Sequence, residues 1–167
     1  MKSIKHLLIL SISLLLLGCG PYSFTGVQDL TAETFQVNYF QNTAELIEPG
    51  FDRDFKLALE ALIVNQTNLN LTTSNADLIY EGEIVEYRIS PTTAQANSTA
   101  SQNRLTVGVN VRLFDKDNPD EEFEQRFSFF VDYDGSTQLV GAQKAAAHEE
   151  IFERLTQDIF NATLAKW

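Results

Sequence analysis

Cys19 is the only cysteine in the 167-residue chain, and it follows Leu16-Leu17-Gly18 at the end of an apolar run. An apolar residue three places before the Cys and a glycine just before it match the bacterial lipobox. Gly18 lets the backbone fit the signal peptidase. The Cys19 thiol then carries a thioether-linked diacylglycerol, and its freed amine is open to acylation. Two or three chains anchor stably, because each buried CH₂ contributes ~0.8 kcal/mol and one chain alone holds only marginally. Upstream, Lys2 and Lys5 precede Leu7 to Leu17, an apolar run of about 11 residues where a membrane span needs ~20. Residues 1–18 are therefore expected to be a lipoprotein signal peptide. Gly20, not Asp, follows the Cys, and no acidic cluster comes after it. The expected place is the cell outer membrane, lipid-anchored on the periplasmic side.

Other spacings that could carry chemistry are incomplete. His148-Glu149-Glu150-Ile151-Phe152 begins like a helical zinc-protease motif, but Phe152 stands where the second histidine is needed, so His148 is expected on a helix surface. Asp115-Lys116-Asp117-Asn118-Pro119-Asp120 begins like a calcium loop, with Pro119 at a ligand position and Asp120 where the turn needs glycine; a hairpin turn is expected instead. Gly135-Ser136 does not extend to G-x-S-x-G. Glu81 and Glu83 share one face of a strand, a spacing open to acid/base work but far commoner in solvated strands. Once acylated, Cys19 leaves no free thiol, and His148 is the one histidine after the signal. No catalytic set, metal site or cofactor beyond the covalent lipid is expected, and the protein is read as no enzyme. Asn65-Gln66-Thr67, Asn97-Ser98-Thr99 and Asn161-Ala162-Thr163 match the glycosylation sequon by chance.

The elements that would position these residues follow from periodicity. Phe35, Val37 and Tyr39 alternate along a first strand, residues 34–40. After Pro49-Gly50, Phe51, Phe55, Leu59, Leu62 and Ile63 form one stripe of an amphipathic helix that ends within 65–70. Asp52 and Asp54 suit its positive N-terminal end. Asp77 to Ser90 is strand-like, with Tyr80 and Ile84 on one face and Val85, Tyr87 and Ile89 on the other, which implies a bulge near Ile84-Val85. A polar loop follows, 91–103. Leu105, Val107, Val109, Val111 and Leu113 make the next strand, Asn118-Pro119-Asp120 a turn, and Phe123, Phe127, Phe129, Val131 and Tyr133 the last strand. A long helix is expected from about Thr137 to Trp167, with Phe152, Leu155, Ile159 and Phe160 inward.

The order β-α-β-β-β-α predicts an α+β two-layer sandwich, a four-stranded mixed sheet with two helices on one face. The domain plan is a signal peptide at 1–18, a lipidated tether at 19–33 and a single domain at 34–167. The free sheet face would carry Thr106, Gly108, Asn110, Arg112, Glu122, Glu124 and Arg126. With 12 basic and 23 acidic residues the net charge is −11, and without the signal 10 basic groups face 23 acidic ones, for −13. Such a balance excludes a nucleic-acid partner, since phosphate neutralisation needs a basic surface.

The segment Gly18-Cys19-Gly20-Pro21-Tyr22-Ser23-Phe24-Thr25-Gly26 resembles the start of the LptE family as it occurs in Bacteroidetes-type bacteria. Phe35-Gln36-Val37-Asn38-Tyr39-Phe40, Tyr80-Glu81-Gly82-Glu83-Ile84, Asn103-Arg104-Leu105-Thr106-Val107, Phe123-Glu124-Gln125-Arg126-Phe127-Ser128 and Asp158-Ile159-Phe160-Asn161 extend the likeness over almost the whole chain. The resemblance implies two helices on a four-stranded sheet in an outer-membrane lipoprotein. It also implies that the lipoprotein plugs and helps assemble the lipopolysaccharide (LPS)-translocating β-barrel LptD, and that it binds LPS in transit. Candidate LPS contacts are Arg104 and Arg112 first, then Arg126, Arg88 and Lys116, since the planar guanidinium fork suits phosphate and carboxylate. The alternative is that these are surface charges paired with Glu122, Glu124 and Asp115. The alternative function is that of a general periplasmic adaptor, or accessory lipoprotein, of another outer-membrane assembly machine. A lipid-anchored hydrolase using carboxylates is a third.

Overall fold

A computed structural model describes residues 31–92, 102–119, 123–135 and 138–165. The signal segment, Cys19 and nearly all of the tether lie outside those residues, as does most of the loop 91–103. In chain order the elements are β1 (Thr34–Val37), β2 (Gln41–Asn42), α1 (Phe51–Gln66), β3 (Asn70–Leu71), β4 (Leu78–Thr92), β5 (Gln102–Asp115), β6 (Phe123–Asp134) and α2 (Gly141–Thr163). β4, β5 and β6 form the antiparallel meander, with β1 parallel to β4 on the other side. The sheet order is β3-β1-β4-β5-β6, and β2 continues β1 along β4. The α+β sandwich with a mixed sheet is therefore observed. The sheet has six strands, not four, because β2 and β3 are two-residue pairings too short to carry an alternation.

Both helices lie on one face. Phe51, Phe55, Leu59 and Ile63 of α1 and Ile151, Leu155, Ile159 and Phe160 of α2 close over Phe35, Tyr80, Ile84, Val107 and Val109, all buried. Apolar area lost from water on this scale dominates the stability of such a layer pair. The buried Thr163 hydroxyl donates to the Ile159 carbonyl at 2.7 Å and accepts from the Tyr80 hydroxyl at 3.0 Å, so α2 is also pinned to β4 by a satisfied polar pair.

Three local expectations change. The chain leaves the β1 line after Val37, so Tyr39 is 64% exposed and Phe40 takes the buried place. Phe40 packs edge-on to Phe55 at 5.2 Å. The expected bulge is present, and the register passes from Ile84↔Val109 to Glu86↔Gly108. The extra residue cancels the change of face, so Tyr87 shares the covered face with Tyr80 and Ile84. Finally, α2 starts at Gly141, later than Thr137. Val140 is extended and Gly141 has φ +57°, a turn of the backbone that stops the helix from running further back.

Candidate functional site

The strand period of two sends every second side chain of β4, β5 and β6 to the face the helices leave uncovered. The register sets out its rows: Ser90, Arg104 and Asp132; then Arg88, Thr106 and Phe130; then Glu86, Gly108 and Ser128; then Glu83, Asn110 and Arg126; then Glu81, Arg112 and Glu124. Four of the five basic candidates, Arg88, Arg104, Arg112 and Arg126, thus share one face. Lys116 does not join them. It sits exposed in the turn after β5, where its N–H donates to the Asp77 carbonyl at 2.9 Å.

Three of the four arginines are already engaged by the protein. Arg104 donates from Nε and Nη2 to the two carboxylate oxygens of Asp132 at 2.7 and 2.8 Å. Its Cζ lies 3.6 Å above the centre of the Phe130 ring. A two-point fork with a stacked face is the strongest arrangement an arginine finds on a surface. The Arg104 hydrogen bonds hold the Asp132 carboxyl below the usual carboxylate range, although partial burial opposes the shift. Arg126 donates to Glu86 at 2.7 Å, and Arg88 meets the same carboxylate at 3.0 Å. Gly108 makes the reach from β6 to β4 possible: a Cβ there would lie 3.0 Å from Arg126 Nη2 and 3.2 Å from Glu86 Cβ. Arg112 is exposed and has no ion-pair partner among the described residues.

The pairing differs from the one weighed from sequence. Glu86 and Asp132 are the partners, and neither Glu124 nor Asp115 forms an ion pair among the described residues. The Arg104–Asp132 pair had a usable signal. Folding the hairpin about Asn118 places residues 104 and 132 directly opposite, as the register has them. The Glu86 cluster had none, since it depends on the bulge one residue before it.

The other candidates also fall into place. Asp115 accepts from the Asp117 N–H and from Asn118 Nδ2, both at 2.9 Å, and so closes a hairpin turn. Asp120 lies outside the described residues, as do Glu122 and Ser136. Glu81 and Glu83 share the open face as expected, and Glu81 accepts from Asn38 Nδ2 at 2.6 Å. His148 corrects its surface expectation: it is half-buried between Phe51, at 5.0 Å ring to ring, and Phe152. Its Nε2 lies 2.9 Å from the Tyr87 hydroxyl. Burial pushes the imidazole pKa below its usual value, against the pull of Glu48. The shift favours the neutral imidazole, which shares a hydrogen bond with the Tyr87 hydroxyl. At the entrance to β1, Asp77 accepts from the N–H groups of Glu33 and Thr34 and from the Thr34 hydroxyl. The Thr34 hydroxyl bond leads in holding that carboxyl below the usual range.

No helix among the described residues is long and apolar enough to cross a membrane. Residues 32–163 match the model of a family described as LptE, lipopolysaccharide-assembly. None of the curated proteins matches the chain. Among solved structures the chain is similar to the PelC dodecamer from Paraburkholderia phytofirmans, at 13% identity and TM-score 0.52, over 83% of this chain and 95% of that one. At such identity the likeness is one of fold. The hypothetical protein CT253 from Chlamydia trachomatis follows at 13% identity and TM-score 0.49, over 77% and 95%. A minor lipoprotein from Acinetobacter baumannii stands at 16% and 0.46, over 78% and 91%.

Proposed function

The chain belongs to the LptE lipopolysaccharide-assembly family, and from that premise we propose that it plugs an LptD-type β-barrel, assists its assembly and takes part in moving LPS to the cell surface. The observation that carries this reading is the family match over residues 32–163, which takes in both layers of the sandwich and the whole arginine-bearing face. In this reading residues 1–18 are removed, Cys19 carries the lipid, 19–33 form the tether, and the domain 34–167 sits at the outer membrane within or beneath the barrel lumen. The work is done by shape and contact, with no bond made or broken. Arg112 meets LPS phosphate first, because its guanidinium is the one on the open face without a carboxylate partner among the described residues. Arg104, Arg126 and Arg88 contribute when Asp132 and Glu86 release them, and Lys116 stands apart at the turn.

Purification of the tagged lipoprotein from membranes in mild detergent tests the reading. A large β-barrel protein of the LptD type is expected in about equal amount. Recovery of a different assembly machine in its place would overturn the barrel role and favour an adaptor. Replacing Cys19 with Ala should abolish acylation and membrane fractionation; unchanged fractionation would remove the anchor.

A further inference from the structure

On the side of the molecule away from the arginine face, α1 and α2 meet through the rings of Phe51, Phe55, His148 and Phe152. Beside that contact Ala58, Ala61 and Leu62 of α1 and Ala145 and Phe152 of α2 line an open groove of about 920 Å³. Its rim is acidic. Glu48 is neutralised by Lys144 at 2.7 Å and Asp54 by Arg53 at 2.9 Å. Glu149 and Glu153 remain exposed, one helical turn apart on α2, with no ion pair among the described residues.

We propose that this groove docks a basic amphipathic helix from a protein partner. The apolar side of that helix would lie on the alanines and Phe152, and its lysines or arginines on Glu149 and Glu153. Charge complementarity selects this occupant. An acidic segment would meet two unpaired carboxylates of its own sign, and a wholly apolar one would strip water from both without replacing it. α1 has 16 residues, which at 1.5 Å per residue gives roughly 24 Å of groove wall, room for a segment of about 14 residues. Helix-in-groove recognition of this kind is read through anchors at i, i+3, i+4 and i+7.

The test is photo-crosslinking of the purified, acylated full chain in detergent. The probe is a synthetic helix of about 14 leucines and lysines with one photoreactive residue on its apolar side; a twin carries glutamate in place of lysine. The lysine probe should crosslink to α1 and α2, and the glutamate probe should not. Glu149→Lys with Glu153→Lys should lower the yield about tenfold, the equivalent of ~1.4 kcal/mol. Asp117→Lys with Glu124→Lys makes the same change in net charge elsewhere and should leave the yield unchanged. Ala61→Trp, at an exposed position, should fill the groove and block crosslinking without any charge change. Equal yield with the glutamate probe, equal loss in the charge-matched control, or crosslinks on the open sheet face would overturn the proposal.

Discussion

Arg112→Ala should weaken LPS binding much more than Arg104→Ala, although the two side chains stand on the same strand and the same face. A hydrogen bond between ionised partners contributes ~1.5–3 kcal/mol net when desolvated. Arg112 is exposed, so the low end applies and the expected loss is about tenfold. Arg104 starts from a different position. Both of its forward nitrogens are on Asp132 at 2.7 and 2.8 Å, and its flat face is on Phe130. A phosphate must displace that carboxylate before it gains anything, so truncating Arg104 should cost less than about threefold. The same reasoning gives Asp132→Asn the opposite sign: it removes the competing charge and should strengthen binding by about threefold. The assay is a titration of the acylated protein in non-ionic detergent with fluorescent LPS at ~150 mM salt, where exposed charges are screened beyond ~8 Å. Equal losses for the two arginines, together with no gain for Asp132→Asn, would refute the idea that internal pairing decides which arginine is available. No loss for Arg112→Ala would remove LPS from the open face altogether.

Three further outcomes test the fold that holds this face. Gly82→Ala should destabilise strongly, because an added Cβ would stand 2.2 Å from the Asn110 carbonyl and 2.5 Å from the Phe40 ring. Overpacking of this kind costs ~1–3 kcal/mol, a drop of several degrees in Tm by calorimetry, and an unchanged Tm would contradict the packing of Phe40. Tyr80→Phe leaves the Thr163 hydroxyl bonded to Ile159 and should cost only ~1 kcal/mol in urea unfolding, whereas a loss of several kcal/mol would mean the pair does more than described. The folded pKa of His148 lies below its unfolded value of ~6.5, so between the two the unfolded chain binds more protons. Stability should be full above that window and fall as pH drops through it, by at most ~1.4 kcal/mol per pH unit. Urea midpoints for the natural chain and His148→Gln should therefore converge as pH falls from ~7.5 to ~5.5; parallel lines would refute the buried neutral ring.

The legible parts of the fold were those where one period ran unbroken. β5 alternates from Leu105 to Leu113 and β6 from Phe127 to Tyr133 around a turn with its own chemistry, and α1 repeats Phe51, Phe55, Leu59 and Ile63 after a Pro-Gly break. The difficulties came where the chain changes period within a few residues. At Val37 to Phe40 the strand ends, and the next aromatic to be buried is Phe40 instead of Tyr39. At Ile84-Val85 the bulge was visible as a change of face, but its consequence was inverted: the extra residue returns Tyr87 to the core. Tyr87 in turn brings His148 into contact with Phe51 and Phe152, so one backbone irregularity changes the surroundings of a histidine 61 residues away. Sequence distance hides such a link, because the bulge sets which strand face a residue joins and the helix meets only that face.

The same geometry decides what the net charge means. An excess of acid over base first argues against any direct meeting with the phosphates of LPS. The strand register localises that repulsion. On the open face Glu86 and Asp132 are paired with Arg126, Arg88 and Arg104, while Arg112, in one row with Glu81 and Glu124, has no ion pair among the described residues. On the helical side the ion pairs of Glu48 and Asp54 leave Glu149 and Glu153 in surplus. In a chain of net charge −11 the two proposals thus rest on two unlike surfaces, the anion contact on Arg112 and the basic helix on Glu149 and Glu153. Raising salt should weaken both contacts, whereas charge reversal on one face should weaken only the contact made there, since a short Debye length leaves each face blind to the charges of the other.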